Sequence, residues 1–371
     1  MRPLSLLSLG LCFLLLQLPV ISWADEYQLE TVTNELQYPW SLAFLPDGQL
    51  LVTERVGNLR KIDAKGLASQ PIQGVPPVFV KGQGGLFDVL LDPHFASNQL
   101  IYLSYAHGDK NNNATRIARA RLTETELFDL EVIFEVTPTK DTPVHYGGRM
   151  AFLEDGTLMM TTGDGFDYRE QAQALDTTLG KTIRINTDGT IPDDNPFRLE
   201  QSANAAIWSY GHRNPQGLVH DPLTNLVYLH EHGPRGGDEL NLIKRGKNYG
   251  WPVMTHGLDY NGAYVSPFKE RPNMKQALLY WVPSIAPAGL TIYHGNQFPR
   301  WQGDLFVAAL VDEDVKRLVL EDNVVTSQES LFAEIGERIR DVRSGPDGFI
   351  YLLTDSESGR IIRVKPAGKT P

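Results

Sequence analysis

The feature that most constrains this chain is a short phrase that it repeats six times. The first copy fills residues 42–62, with Leu45-Pro46-Asp47-Gly48 turning one apolar run into another and a return through Gly57, Asn58 and Leu59. Further copies lie at 86–105, 148–164, 217–230, 289–310 and 339–355. Each reads as a strand, a tight turn usually built on Asp-Gly or Asp-Pro, and an aliphatic strand that ends near a polar residue. Asp-Gly supplies the positive φ that a tight hairpin needs. Copies recur every 45 to 70 residues or so, the spacing of four-stranded blades carrying insertions. Six copies predict an all-β chain folded as a six-bladed β-propeller in one domain, residues 25–371. An irregular β-sandwich would explain the turns but not the recurrence. Helical periodicity is scarce, and residues 169–178 are the best helix candidate.

The first 24 residues read differently. Met1-Arg2 is followed by an apolar run over 4–20, and Ser22-Trp23-Ala24 offers a small-x-small cleavage site before Asp25. This is the pattern of a secretory signal peptide, which predicts export to the periplasm. Ser8, Gln17 and Pro19 interrupt the run, which argues against stable membrane insertion. The only cysteine, Cys12, leaves with the signal, so the mature chain relies on its core or on bound metal rather than on disulfides. Of 34 Lys+Arg and 45 Asp+Glu, only Arg2 is in the signal, which leaves 33 against 45, or −12. That balance disfavours nucleic acid and anionic lipid as partners.

A propeller gathers ligands on one face, where loops of different blades converge. The densest chemistry lies between Ile207 and Asp238, where a hairpin, Leu218 to Leu229, joins two loaded loops. The first carries Arg213 and Asn214. In the second, Gly233 and Pro234 can turn carbonyls toward a cation, with Asp238 and Glu239 close behind. An anion-binding group beside a hard-cation site suggests a ligand that is both anionic and metal-bound. His145 and Asp164 sit at the two ends of another hairpin, so strand pairing can join them. A carboxylate on one imidazole nitrogen leaves the other as a base. Arg338 and Arg340 fall on one face of a strand, an anion site unless Glu337 and Asp341 neutralise them. Two other patterns fail. Gly180-Lys181-Thr182 has Leu175 where a phosphate loop needs glycine, and His230 and His232 alternate like a zinc pair without an evident third ligand.

Five stretches together carry a family resemblance. They are Gly82-Gln-Gly-Gly-Leu86, Trp208-Ser-Tyr-Gly-x-Arg-Asn-Pro-Gln-Gly217, Glu231-His-Gly-Pro-Arg-Gly-Gly-Asp-Glu239, Gly246-Lys-Asn-Tyr-Gly-Trp-Pro252 and Arg338-Ile-Arg-Asp-Val342. With them the chain resembles the soluble quinoprotein aldose sugar dehydrogenases, which use pyrroloquinoline quinone (PQQ) on a six-bladed propeller. The resemblance implies that His145 is the base that takes the proton of the anomeric hydroxyl as hydride leaves C1. It implies that Arg213 stabilises the oxyanion developing on the quinone. Gln83 and Asn214 would hold the cofactor edge, Tyr260 its ring, and Arg338 and Arg340 its carboxylates. The carbonyls of Gly233 and Pro234 would bind a catalytic calcium ion, and Glu239 with Tyr249 a second, structural one.

Two departures stand out. Val144 precedes the base where related glucose enzymes carry an acidic or amide residue, which leaves Asp164 to orient His145. Val311 follows Leu310 where the family places a lysine over the cofactor, unless Lys316 replaces it. The expected activity is oxidation of aldoses to lactones, with electrons passed to an acceptor that the sequence does not name. A calcium-dependent lactone hydrolase and a non-catalytic sugar-binding propeller are the rival readings.

Overall fold

Antiparallel hairpins account for nearly every element of the structure, a computed structural model that describes residues 27–368. The expected signal peptide, residues 1–24, lies outside the described residues. Six sheets follow one another around a ring, as the repeat predicts. Blade I has three strands, Pro39–Phe44, Leu50–Glu54 and Asn58–Ile62. Blade II holds Leu86–Leu91, Leu100–Gly108, Asn113–Leu122 and Leu127–Glu135. Blade III holds Gly147–Phe152, Leu158–Thr162, Lys181–Ile185 and Ile207–Tyr210. Blade IV is Pro215–Asp221, Leu226–Glu231, Asp238–Ile243 and Leu279–Trp281. Blade V is Pro287–Ile292, Leu305–Ala309, Val315–Glu321 and Val324–Leu331. Blade VI takes Ile339–Ser344, Ile350–Thr354 and Gly359–Pro366 from the end of the chain and its outermost strand, Tyr27–Leu36, from the beginning.

The core is annular. One apolar cluster fills each of the six junctions between neighbouring blades, such as Met150, Leu158 and Ile183 against Ile117 and Ile133 between blades III and II. Strands buried on both faces therefore read as continuous aliphatic runs rather than as alternation. The innermost strands instead turn charge toward the axis. Arg149 lies 3.0 Å from Asp341, Arg343 reaches Asp341 at 2.8 Å and Asp88 at 3.0 Å, and the Arg149 guanidinium rests 4.0 Å above the Trp40 ring.

The helix expected over 169–178 shrinks to a single 3₁₀ turn, Arg169–Ala172. The cause is Lys181, whose buried Nζ donates to the carbonyls of Gln171, Ala172 and Leu179 at 2.7, 3.2 and 2.6 Å. The segment wraps around an ammonium, so those carbonyls are unavailable to a helical ladder. Among the described residues no helix is long and apolar enough to cross a membrane.

Candidate active site

The loops that precede the innermost strands open on the same face as those that join each second strand to its third. Blade III brings His145 and Asp164 there. Gly147–Phe152 pairs with Leu158–Thr162, and Thr162 lies opposite Gly147, so the residues just beyond this pairing face one another. Gly163 permits the approach, because a Cβ there would stand 2.1 Å from the His145 carbonyl oxygen. His145 Nδ1 and Asp164 Oδ1 are 2.7 Å apart, both side chains buried. Asp164 also accepts from the Phe166 amide at 2.8 Å and from Trp251 Nε1 at 2.7 Å. Burial pushes the imidazole below its usual range for protonation, although Asp164 resists. Burial alone would raise Asp164, but the His145 hydrogen bond and the charges of His145 and Arg213 hold it below the usual carboxylate range. The stable state is therefore neutral imidazole with Nδ1–H directed at a carboxylate, which leaves Nε2 as the basic nitrogen. Nε2 has no hydrogen-bond partner among the described residues.

His145 itself has φ +53, a left-handed conformation unusual for a non-glycine residue. Gln83 holds it there, its Oε1 accepting the His145 amide at 2.8 Å. Asn214 Oδ1 similarly accepts the Gly147 amide at 3.4 Å. The Pro215–Asp221 and Leu226–Glu231 hairpin of blade IV brings the other two loops together, with Pro215 opposite Glu231. Arg213 donates to the carbonyls of Gly233 at 2.6 Å and His232 at 3.1 Å, and to the Tyr260 hydroxyl at 3.2 Å. Tyr260, in the long insertion of blade IV, stacks on Phe166, whose ring meets His145 edge-on.

Two cavities flank this centre. One lies between Phe166, Arg213, Pro234, Trp251 and Tyr260. The other is the channel mouth, bounded by Gln83, Asn214, Leu310, Arg338, Arg340 and Asp355. The guanidiniums of Arg338 and Arg340 converge on Asp355, at 3.2 and 3.1 Å, and not on Glu337 or Asp341. Glu337 pairs with Arg360, and Asp341 with Arg149 and Arg343. Arg340 Nε is buried without a hydrogen-bond partner among the described residues. A third, smaller space beneath Arg213 is lined by Gly233, Glu231, Glu239 and Tyr249. Glu231 and Glu239 face each other across adjacent strands. Burial, followed by the charge of Glu231, pushes Glu239 well above the usual carboxylate range, and among the described residues no cationic side chain is paired with it. Tyr249 turns its hydroxyl to Leu242 at 2.7 Å and stacks its ring on His212.

The remaining sequence candidates resolve plainly. His230 and His232 each aim Nε2 at a backbone carbonyl, of Gly289 and Pro287, so they do not converge on a metal. Lys316 does not replace a lysine over the mouth, because Asp314 at 2.6 Å and Asp312 at 2.7 Å hold it within blade V. Val311 stands exposed beside Leu310, whose carbonyl accepts Arg338. Sequence reasoning missed Trp251, Phe166 and Asp355 as parts of the site. Trp251 and Asp164 are 87 residues apart, and nothing local marks an indole as a carboxylate's partner.

Fold and site together describe a propeller that holds a buried base beside an arginine-lined mouth. The profile of the family described as Glucose / Sorbosone dehydrogenase matches residues 36–363. The aldose sugar dehydrogenase YliI of Escherichia coli is 44% identical over 345 residues, 91% of this chain and 92% of that one. The crystal structure of the soluble aldose sugar dehydrogenase from E. coli in its apo form superposes with a TM-score of 0.89 at 42% identity, covering 92% of this chain and all of that one. The PQQ-bound aldose sugar dehydrogenase of Streptomyces coelicolor gives 0.76 at 28% identity, over 92% and 99% of the two chains. These matches place the chain among the propeller oxidoreductases. It belongs to the glucose/sorbosone dehydrogenase family.

Proposed function

We propose that this enzyme oxidises aldose sugars at C1 to lactones, with PQQ as hydride acceptor and calcium as its partner ion. The observation that carries the reading is the His145–Asp164 pair, a neutral imidazole with Nε2 unengaged, set between two cavities. His145 Nε2 takes the proton of the anomeric hydroxyl. Asp164, fixed by Trp251 and the Phe166 amide, holds the ring in that tautomer and stabilises the imidazolium that results.

The residues present fit both groups. Arg55, Arg338 and Arg340 share the mouth with one carboxylate, Asp355, and a buried guanidinium nitrogen lacks a partner. That surplus of positive charge suits a ligand bearing several carboxylates. The paired Glu231 and Glu239, with no cationic partner for Glu239 among the described residues, suit a divalent cation, and the Gly233 carbonyl, which accepts Arg213, borders the same space. Once bound, calcium-polarised PQQ supplies the two-electron acceptor for the hydride. Arg213 would contribute a fixed positive charge to the bound cofactor, and Gln83, Asn214 and Tyr260 would help to hold it. The apolar N-terminal stretch supports a periplasmic setting, which release of a chain starting at Asp25 into the periplasmic fraction would establish.

The test is reconstitution. Purified protein is titrated with PQQ and calcium, then given an aldose and an artificial electron acceptor. Acceptor reduction that requires both additions, with lactone as product, is expected. Hydrolysis of an added lactone without PQQ, and no acceptor reduction with it, would replace this reading with that of a lactone hydrolase.

A further inference from the structure

The mechanism leaves one buried charge beside the His145–Asp164 hairpin unused. Lys140 is 3% exposed and lies in the loop that leads from blade II into blade III. Its main chain is fixed to Asn113 by two hydrogen bonds, of 2.8 and 2.9 Å. Its Nζ donates to Asn113 Oδ1 at 2.9 Å and to the Thr142 carbonyl at 2.5 Å, and stands 3.6 Å above the Tyr146 ring. The Tyr146 hydroxyl donates to the same Asn113 oxygen at 2.7 Å. All three ligands of the ammonium are neutral, and no carboxylate lies within ion-pair distance of it among the described residues. Its aliphatic stem runs against Gly165, where a Cβ would approach Lys140 Cδ to 2.8 Å. Gly165 directly follows Asp164, and Tyr146 directly follows His145. Lys140 is therefore wedged against both ends of the hairpin that carries the pair.

We infer that Lys140 is a positioning residue for the reaction: an un-neutralised ammonium, fixed beside the hairpin, that holds the pair as neutral imidazole and carboxylate. The inference rests on the reading of His145 as the base. An ammonium in a water-poor site acts over longer range than one at the surface, because little solvent screens it. Its field favours the Asp164 carboxylate and disfavours a proton on His145. The charge of Arg213 acts on the pair in the same sense. The groups that face Lys140 are Asp164, Asp141 and the Tyr146 ring. Burial drives the ammonium itself down to about 7, with Asp164 and Asp141 resisting.

The test follows the imidazole rather than turnover alone. His145 is titrated by NMR in protein loaded with PQQ and calcium, and again before loading, alongside the pH profile of kcat/KM. Lys140→Met removes the charge and keeps the bulk. Asn113→Asp keeps the lysine and gives it a carboxylate partner. Both variants are expected to raise the His145 midpoint, by roughly one unit, and to carry the acid limb of kcat/KM upward with it. A folded variant with a lowered melting temperature and an unmoved imidazole midpoint would show a structural role and overturn the inference. If Lys140→Met does not fold, Asn113→Asp decides alone. Failure of the loaded wild-type protein to oxidise any aldose would sink the reading of the site, while the titration would still judge the placement of the charge.

Discussion

His145 occupies a backbone conformation that costs a non-glycine residue about 1–2 kcal/mol, and Gln83, Asp164 and the close approach of Gly163 hold it there. Such over-determination fits a group whose direction matters more than its comfort. Replacing His145 by Ala should lower kcat by roughly 10²–10⁴-fold while PQQ still binds, as titration of cofactor absorbance would check. Asp164→Asn should cost less. Because burial lowers the imidazole's proton affinity, the base is already free above its ordinary value of 6.5. Activity should therefore be level from that pH upward through neutrality and fall only at lower pH. Val311 offers a gain instead. It is exposed beside Arg338, and Lys316 is committed to Asp312 and Asp314. Val311→Lys should tighten PQQ binding by about tenfold, the lower end of what a charge-assisted contact adds. Unchanged affinity would show that position 311 does not overlook the cofactor. The pairing of His145 with Asp164 was legible because a single hairpin joins them. Trp251 and Asp355 were not, since each reaches the site from another blade, and Lys140, five residues before His145, carries no local sign that it is buried.

Blades were legible where a turn announces them. Asp47-Gly48, Asp155-Gly156 and Asp347-Gly348 each put glycine at positive φ, 86, 79 and 82°. The apolar runs around those turns became strands that pack between neighbouring blades. Beyond the return strand of blade I, the third strands and the 3₁₀ turn at Arg169 were not legible. Their form depends on contacts such as that of Lys181 with three carbonyls, which propensity does not register. The axial cluster of Arg149, Arg343, Asp88 and Asp341 also escaped notice, because each member comes from an innermost strand and reads locally as one polar residue in a strand. It ties blades II, III and VI together, with Arg149, Asp88 and Asp341 buried. Removing one partner strands the others, so Arg149→Met should destabilise the protein by about 3–5 kcal/mol, as denaturant unfolding would measure. A loss below about 1 kcal/mol would show that the remaining charges repair themselves.

At the scale of the molecule, the proposed ion would link metal binding to stability through the buried Glu231 and Glu239. Without a cation, Glu239 keeps its proton in the fold at pH values where the unfolded chain has released it. The folded state then binds more protons, so stability falls as pH rises from the usual glutamate range through neutrality. Exhaustive chelation should thus lower the melting temperature, and lower it more at pH 8 than at pH 5, while excess calcium flattens that difference. A melting temperature indifferent to chelation at both pH values would remove the ion from this site. The ring has one more property, set by Tyr27–Leu36 pairing with Gly359–Pro366. The two halves of that seam are separated by more than 300 residues, as in the contact of Glu30 with Arg363. During synthesis the strand made first must wait, unpaired, for the strand made last. Every shortened product of translation is left with an open sheet edge, a ready template for self-association. For this chain, the pairing of Tyr27–Leu36 with Gly359–Pro366 is also the step that covers that edge.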